Sequence, residues 1–148
     1  MSDTDLFLEE VSKELNVSLS FKPVDSCIVQ LPSEIQVVFE RNEAKKHINV
    51  VCLLLKVEPS VHTDQLLEQS LKCNNPKNEI TGSLCLIEKT NTLALYQKYK
   101  LSNANYKALA NSCLHLLQSA VYLKQFYGTN QPLPFPITKH MISNEMDR

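Results

Sequence analysis

The run Ile48-Asn49-Val50-Val51-Cys52-Leu53-Leu54-Leu55 constrains the fold more than any other part of this chain, because apolar side chains occupy nearly every position. Successive residues of a strand point to opposite faces of a sheet, so a run apolar on each parity belongs to a central strand covered on both sides. It is also far too short to span a bilayer, so no membrane insertion is expected. The preceding residues Ile35-Gln36-Val37-Val38-Phe39-Glu40-Arg41 alternate apolar with polar, and the polar stretch Arg41 to Lys46 joins the two runs as a long antiparallel hairpin.

Around that hairpin the hydrophobic period changes several times. Residues 4–15 repeat Leu8, Val11 and Leu15 at helical spacing, with Ser2, Asp3 and Thr4 as competing N-caps and Asp5, Glu9 and Glu10 near the positive end of the helix dipole. Leu6 and Phe7 fall outside that stripe. Val17, Leu19 and Phe21 alternate with Ser18, Ser20 and Lys22 as a half-buried strand until Pro23, and Cys27 to Leu31 forms another short strand turned by Pro32-Ser33. After Glu58-Pro59-Ser60, His62-Thr63-Asp64 caps a second helix carrying Leu66, Leu67 and Leu71, which ends by Asn74-Asn75-Pro76. Two strands, Ser83 to Glu88 and Thr92 to Tyr99, flank the turn Lys89-Thr90-Asn91.

Ser102-Asn103 then caps the longest element, in which Tyr106, Leu109, Ala110, Cys113, Leu116, Leu117, Ala120 and Val121 recur at helical spacing until Gly128. The tail 129–148 contains Pro132, Pro134 and Pro136 and reads as extended, disordered or laid along the surface. There is no internal repeat and no low-complexity linker. The expectation is a single α+β domain over 1–128, a twisted antiparallel sheet with three helices in the order α-βββ-α-ββ-α, followed by the tail. At 148 residues such a domain needs no metal or disulfide to be stable.

Composition removes several functional classes. Fifteen Lys and Arg against sixteen Asp and Glu leave a net charge of −1, which supplies no basic surface for nucleic acid. The five cysteines, Cys27, Cys52, Cys73, Cys85 and Cys113, are odd in number and widely spaced, so they read as reduced packing residues, not as disulfides or zinc ligands. The opening Met1 to Phe7 has no basic and apolar regions of an export signal, and a cytoplasmic protein is expected.

Catalytic motifs are equally scarce. Gly82 and Gly128 are isolated, so no phosphate loop or dinucleotide fingerprint can be built, and no cofactor is expected. Cys113 and His115 are the one conceivable nucleophile pair, but two residues apart on a helix they point in different directions. His47, His62 and His140 lack the spacing to gather a metal. Glu9-Glu10 and Glu40 with Glu43 read as solvated carboxylates, not as an acid–base pair. No enzymatic activity is expected.

The chain does carry apolar surface beyond what a small sheet and three helices cover, such as Leu6, Phe7, Leu66 and Leu67, and such excess marks an interface. In element order, from the capped helix Asp5-Leu6-Phe7-Leu8-Glu9-Glu10-Val11 to the closing helix after Asn103, residues 4–127 resemble the class I chaperones of bacterial type III secretion systems, the Tir-type and effector-specific chaperones. The resemblance implies a cytoplasmic homodimer that binds the N-terminal segment of a secreted effector or translocator and keeps it soluble and export-competent. A heterodimer with a second chaperone is the other assembly it allows, and the secretion ATPase is a further candidate partner.

The same resemblance puts the dimer interface on the second helix and a neighbouring strand, at Leu66, Leu67, Leu71, Leu84, Leu86 and Leu93. It runs the cargo in an extended path over the first helix and the exposed sheet face, at Leu6, Phe7, Val37 and Phe39. The alternative is a small α+β adaptor or inhibitor module that binds a folded partner. An enzyme whose site assembles without a motif would instead need a concave pocket of converging polar groups.

Overall fold

In the computed structural model the described residues are 2–21, 24–31, 34–58, 61–102, 105–127 and 132–142. The elements run α1 (Asp3–Leu15), β1 (Ser26–Leu31), β2 (Ile35–Asn42), β3 (His47–Lys56), α2 (Val61–Lys72), β4 (Ser83–Ile87), β5 (Thr92–Lys100), α3 (Tyr106–Tyr127) and α4 (Lys139–Ile142). The α+β class and the order α-βββ-α-ββ-α hold, with the one-turn α4 added at the end. The breakers and caps expected at Pro23, Pro32-Ser33, Pro59-Ser60, Asn103 and Gly128 lie outside the described residues.

All five strands form one sheet in the order β1-β2-β3-β5-β4, and every neighbouring pair is antiparallel. The apolar run Ile48 to Leu55 is β3, the central strand. Its inner residues Ile48, Val50, Cys52 and Leu54 are sealed from solvent, as are Ile35, Val37 and Phe39 of β2 and Leu93, Leu95 and Tyr99 of β5. Helices α1 and α3 pack on each other over this face, contributing Phe7, Leu8 and Val11 from one and Cys113, Leu116, Leu117 and Ala120 from the other. Gly82 has φ +93°, and a Cβ there would stand 2.5 Å from Leu116 Cδ1, so the entry to β4 needs glycine for α3 to come this close.

Local chemistry fixes the ends of α1. Ser2 is its N-cap, accepting the Asp5 amide proton at 3.2 Å, while the Asp5 carboxylate accepts from the Ser2 amide at 3.4 Å, a capping box. Asn16 closes the helix at φ 55° in the left-handed region. The Arg41 guanidinium then ties three segments together. It meets Asp25 at 3.0 Å, Asp5 at 3.1 Å and Glu43 at 3.2 Å, and lies 4.8 Å above the Phe21 ring.

Two expectations are corrected here. Val17 to Phe21 is not a strand, because among the described residues no strand pairs with it. It is an extended connection held along α1 by the Leu19 amide donating to Ser12 Oγ at 3.3 Å, with Phe21 buried and Val17 exposed. Second, β3 is covered on one face only. Asn49, Val51 and Leu53 alternate with the sealed positions and stay half-buried on the face away from α1 and α3.

Candidate functional site

Strand parity decides which residues can meet a partner. Because Ile28 pairs with Val38, Val38 with Val51 and Val51 with Tyr96, these four side chains stand in one row across β1, β2, β3 and β5, on the face opposite the two long helices. With strands ~4.8 Å apart, the row is about 14 Å long. Ile28 is 63% exposed and Tyr96 42%, whereas Val38 and Val51 are half-buried between them.

The flanking rows give this surface its character. On one side lie Gln30 and Gln36, then the half-buried Leu53 and Cys85 with the sealed Ala94 between them, so the row turns apolar toward β4. On the other side Ser26, Glu40, Asn49 and Lys98 form a polar border with one carboxylate and one ammonium group. An apolar centre with a mixed-charge rim suits a polypeptide segment better than a polyanion.

The edges of the sheet are not equivalent. At β4 the Asn74 side chain pairs with the Leu84 backbone like a short strand, accepting its amide proton at 2.7 Å and donating to its carbonyl at 3.0 Å. At the other end, β1 pairs with β2 on one side, and no described strand lies on its other side. The outward backbone donors and acceptors along Ser26–Leu31, with no described strand against them, make β1 the edge where a further strand could add.

The residues singled out from sequence divide sharply on this geometry. Phe7, Val37 and Phe39 are fully sealed, Phe7 with its ring 5.4 Å from that of Tyr99, so none of the three can touch a partner without unfolding the core. The error for β2 is one of parity: Val37 and Phe39 point inward, and Val38 between them points out. For α1 the buried face is Thr4, Phe7, Leu8 and Val11, a wider stripe that includes Phe7, while Leu6 stays half-buried on the flank.

The leucines of the second patch divide too. Leu84 and Leu93 belong to the chain's own core, at 3% and 0% exposure, because β4 and β5 pack them beneath the helices. Leu66 and Leu67 are half-buried on α2, and Leu71 and Leu86 are exposed at 54% and 37%. A surface at the α2–β4 corner is thus available from Leu71 and Leu86, not from Leu84 or Leu93.

The candidate nucleophile and base do not meet. Cys113 is sealed in α3 and His115 is exposed on the same helix, so they do not converge. Burial pushes the Cys52 and Cys73 thiols up to about 12, and the Cys113 thiol up as well. Desolvation, with Lys98, Lys45 and Lys100 nearby, holds His47 below the usual imidazole value. Glu43 accepts hydrogen bonds from Ser2 and Thr4 and pairs with Arg41, a structural role at the α1 N-terminus. Among the described residues no three His, Cys, Asp or Glu side chains are placed to hold a metal ion, and no helix is long and apolar enough to cross a membrane.

An open groove of about 580 Å³ lies between α1 and the connection 16–20, lined by Leu8, Ser12, Val17 and Leu19 among others. It is continuous in sequence with the exposed Val24 and Ile28 that lead onto the outer sheet face.

The model of the Tir chaperone protein (CesT) family matches residues 6–124. No curated protein sequence matches the chain. Among solved structures, the ExsC–ExsE complex superposes with a TM-score of 0.62 at 13% identity, covering 84% of this chain and 96% of the other. The HopA1–SchA chaperone–effector complex gives 0.58 at 17% identity, covering 84% and 98%. The Yersinia pestis type III secretion chaperone SycH, in complex with a stable fragment of YscM2, gives 0.55 at 17% identity, covering 82% and 99%. At these identities the structures establish a shared fold.

Proposed function

This chain belongs to the Tir chaperone protein (CesT) family, and on that premise we propose that it is a type III secretion chaperone that holds the N-terminal segment of a secreted effector or translocator against its outer sheet face. The observation that carries this reading is the central strand β3, apolar on two faces but covered by helices on one. In a lone domain the row Ile28–Val38–Val51–Tyr96 is an uncovered apolar surface, and a chain that keeps one needs something to lay on it.

An extended segment suits this surface for two reasons. Strand addition to the open edge of β1 gives sequence-tolerant backbone hydrogen bonds, and alternate side chains can drop onto the apolar row. Binding of this kind covers the aggregation-prone part of a cargo without folding it and without hydrolysing a nucleotide. The half-buried Leu6 on α1, with the groove beside that helix, extends the path. Phe7, Val37 and Phe39 act only by holding up the surface from below.

A second surface, at Leu71 and Leu86 on the α2–β4 corner, is read as the homodimer contact, with Leu66 and Leu67 packed behind it. Two copies related by a twofold axis would present two cargo faces to one polypeptide. The protein is read as a cytoplasmic binding protein with no catalytic step.

The test is to purify the tagged chain from its source organism, digest whatever co-purifies, and identify the protected part by mass spectrometry. Protection of a single segment near the N-terminus of one partner supports extended binding. Protection of a whole folded domain would replace it with an adaptor that recognises folded proteins.

A further inference from the structure

Residues 132–142 lie beyond the stretch matched by the family model, yet they pack firmly on the domain. Leu133, Ile137 and Ile142 are 7%, 0% and 3% exposed and belong to the main buried cluster, while Phe135, Pro136, Lys139 and Met141 between them face solvent. The tail is thus anchored at three separated aliphatic positions, with exposed side chains in the gaps.

Its backbone is held in the manner of a bound peptide. The Glu79 amide donates to the Ile137 carbonyl at 2.8 Å, and the Ile137 amide donates to Asn78 Oδ1 at 2.8 Å. One wall of the groove is therefore the loop between α2 and β4, itself fixed to α3 by the Thr81 amide and Ser119 Oγ at 3.3 Å. The other is α3, where the Tyr122 hydroxyl donates to the Met141 sulfur at 3.7 Å. A groove that reads one backbone position in both directions and takes aliphatic side chains is a site for extended polypeptide.

We propose that this groove, between α3 and the 78–81 loop, is a second binding site for an extended, aliphatic-anchored polypeptide segment, which residues 132–142 occupy in cis as a displaceable competitor. Three anchors have to offset the ordering of eleven residues that otherwise have little regular structure, so the docked state is favoured over the released one by a modest factor, about tenfold to a hundredfold, and stays displaceable. The family-matched part of the chain, 6–124, contains both walls of the groove, and the strap is an addition to it. The inference goes beyond the cargo-face reading and concerns a different surface, on the helical side of the sheet.

The experiment uses the full chain and a fluorescent synthetic peptide of residues 132–142. Ile137→Asp in the chain should release the strap, and the free peptide should then bind at least about tenfold more tightly than it binds the unaltered chain, since a docked strap blocks most sites. A peptide carrying the same Ile137→Asp change should not bind, and bound wild-type peptide should slow hydrogen exchange at the Glu79 amide. Equal affinity for the two chains, or no binding to the released one, would overturn the proposal. So would unfolding of Ile137→Asp or Leu133→Asp by circular dichroism, because the strap would then be indispensable core. None of these readouts needs an effector, so they stand or fall apart from the chaperone reading.

Discussion

Val37, Val38 and Phe39 are three consecutive apolar residues with two different roles, and the difference is set by parity alone. Phe39→Ala should cost about 3–5 kcal/mol, because a sealed aromatic leaves a cavity, whereas Val38→Ala should cost less than about 1 kcal/mol. Chemical denaturation of the two variants checks this contrast, and equal losses would place Val38 in the core. The alternation in β2 is legible in sequence, but which parity faces the helices is not, since Val38 interrupts it and only the packing of Phe7 and Tyr99 decides. At Asp5 the Ser2 hydroxyl, then the Ser2 amide and Arg41, hold the carboxyl below its ordinary value. A folded-state value below the unfolded one contributes stability that is full at neutral pH and is lost as pH falls through the folded value. Asp5→Asn should flatten that acid limb of the melting-temperature profile, and an unchanged profile would remove Asp5 from the account. Thiols offer a third check: with Cys52, Cys73 and Cys113 buried, a thiol reagent should modify only the half-buried Cys27 and Cys85 in the native state.

At the scale of elements, α1, the β2–β3 hairpin, the β4–β5 hairpin and α3 were readable because each has a clean period and local caps or turns. Val17 to Phe21 misled because a period of two reports alternating burial, and an extended connection beside a helix satisfies it as well as a strand does. The tail was unreadable for the opposite reason: three prolines remove any period, and its anchors Leu133, Ile137 and Ile142 become meaningful only against the 78–81 loop. On α2 the leucines looked equivalent in sequence, and their exposures separate them. Leu71→Asp, on the exposed side, should convert a dimer to a monomer with no loss of helix, read by light scattering after size exclusion. A variant that keeps the wild-type mass would move the contact away from α2.

For the whole molecule, the account rests on an imbalance: five strands make one sheet, and the two long helices cover one side of it. The sequence puts the apolar excess at Leu6, Phe7, Leu66 and Leu67 and reads β3 as covered on both sides, because a run of apolar residues does not say whether its second cover comes from the same chain or from a partner. The most direct measurement is the affinity of the protected cargo segment, by titration, for the unaltered chain, for Ile28→Asp and Tyr96→Asp on the outer face, and for Lys107→Asp on the exposed side of α3. The account predicts that each outer-face charge weakens binding at least about tenfold while the α3 change does not, with all three variants folded. Unchanged affinity in Ile28→Asp and Tyr96→Asp would contradict it and send the cargo to another face of the protein.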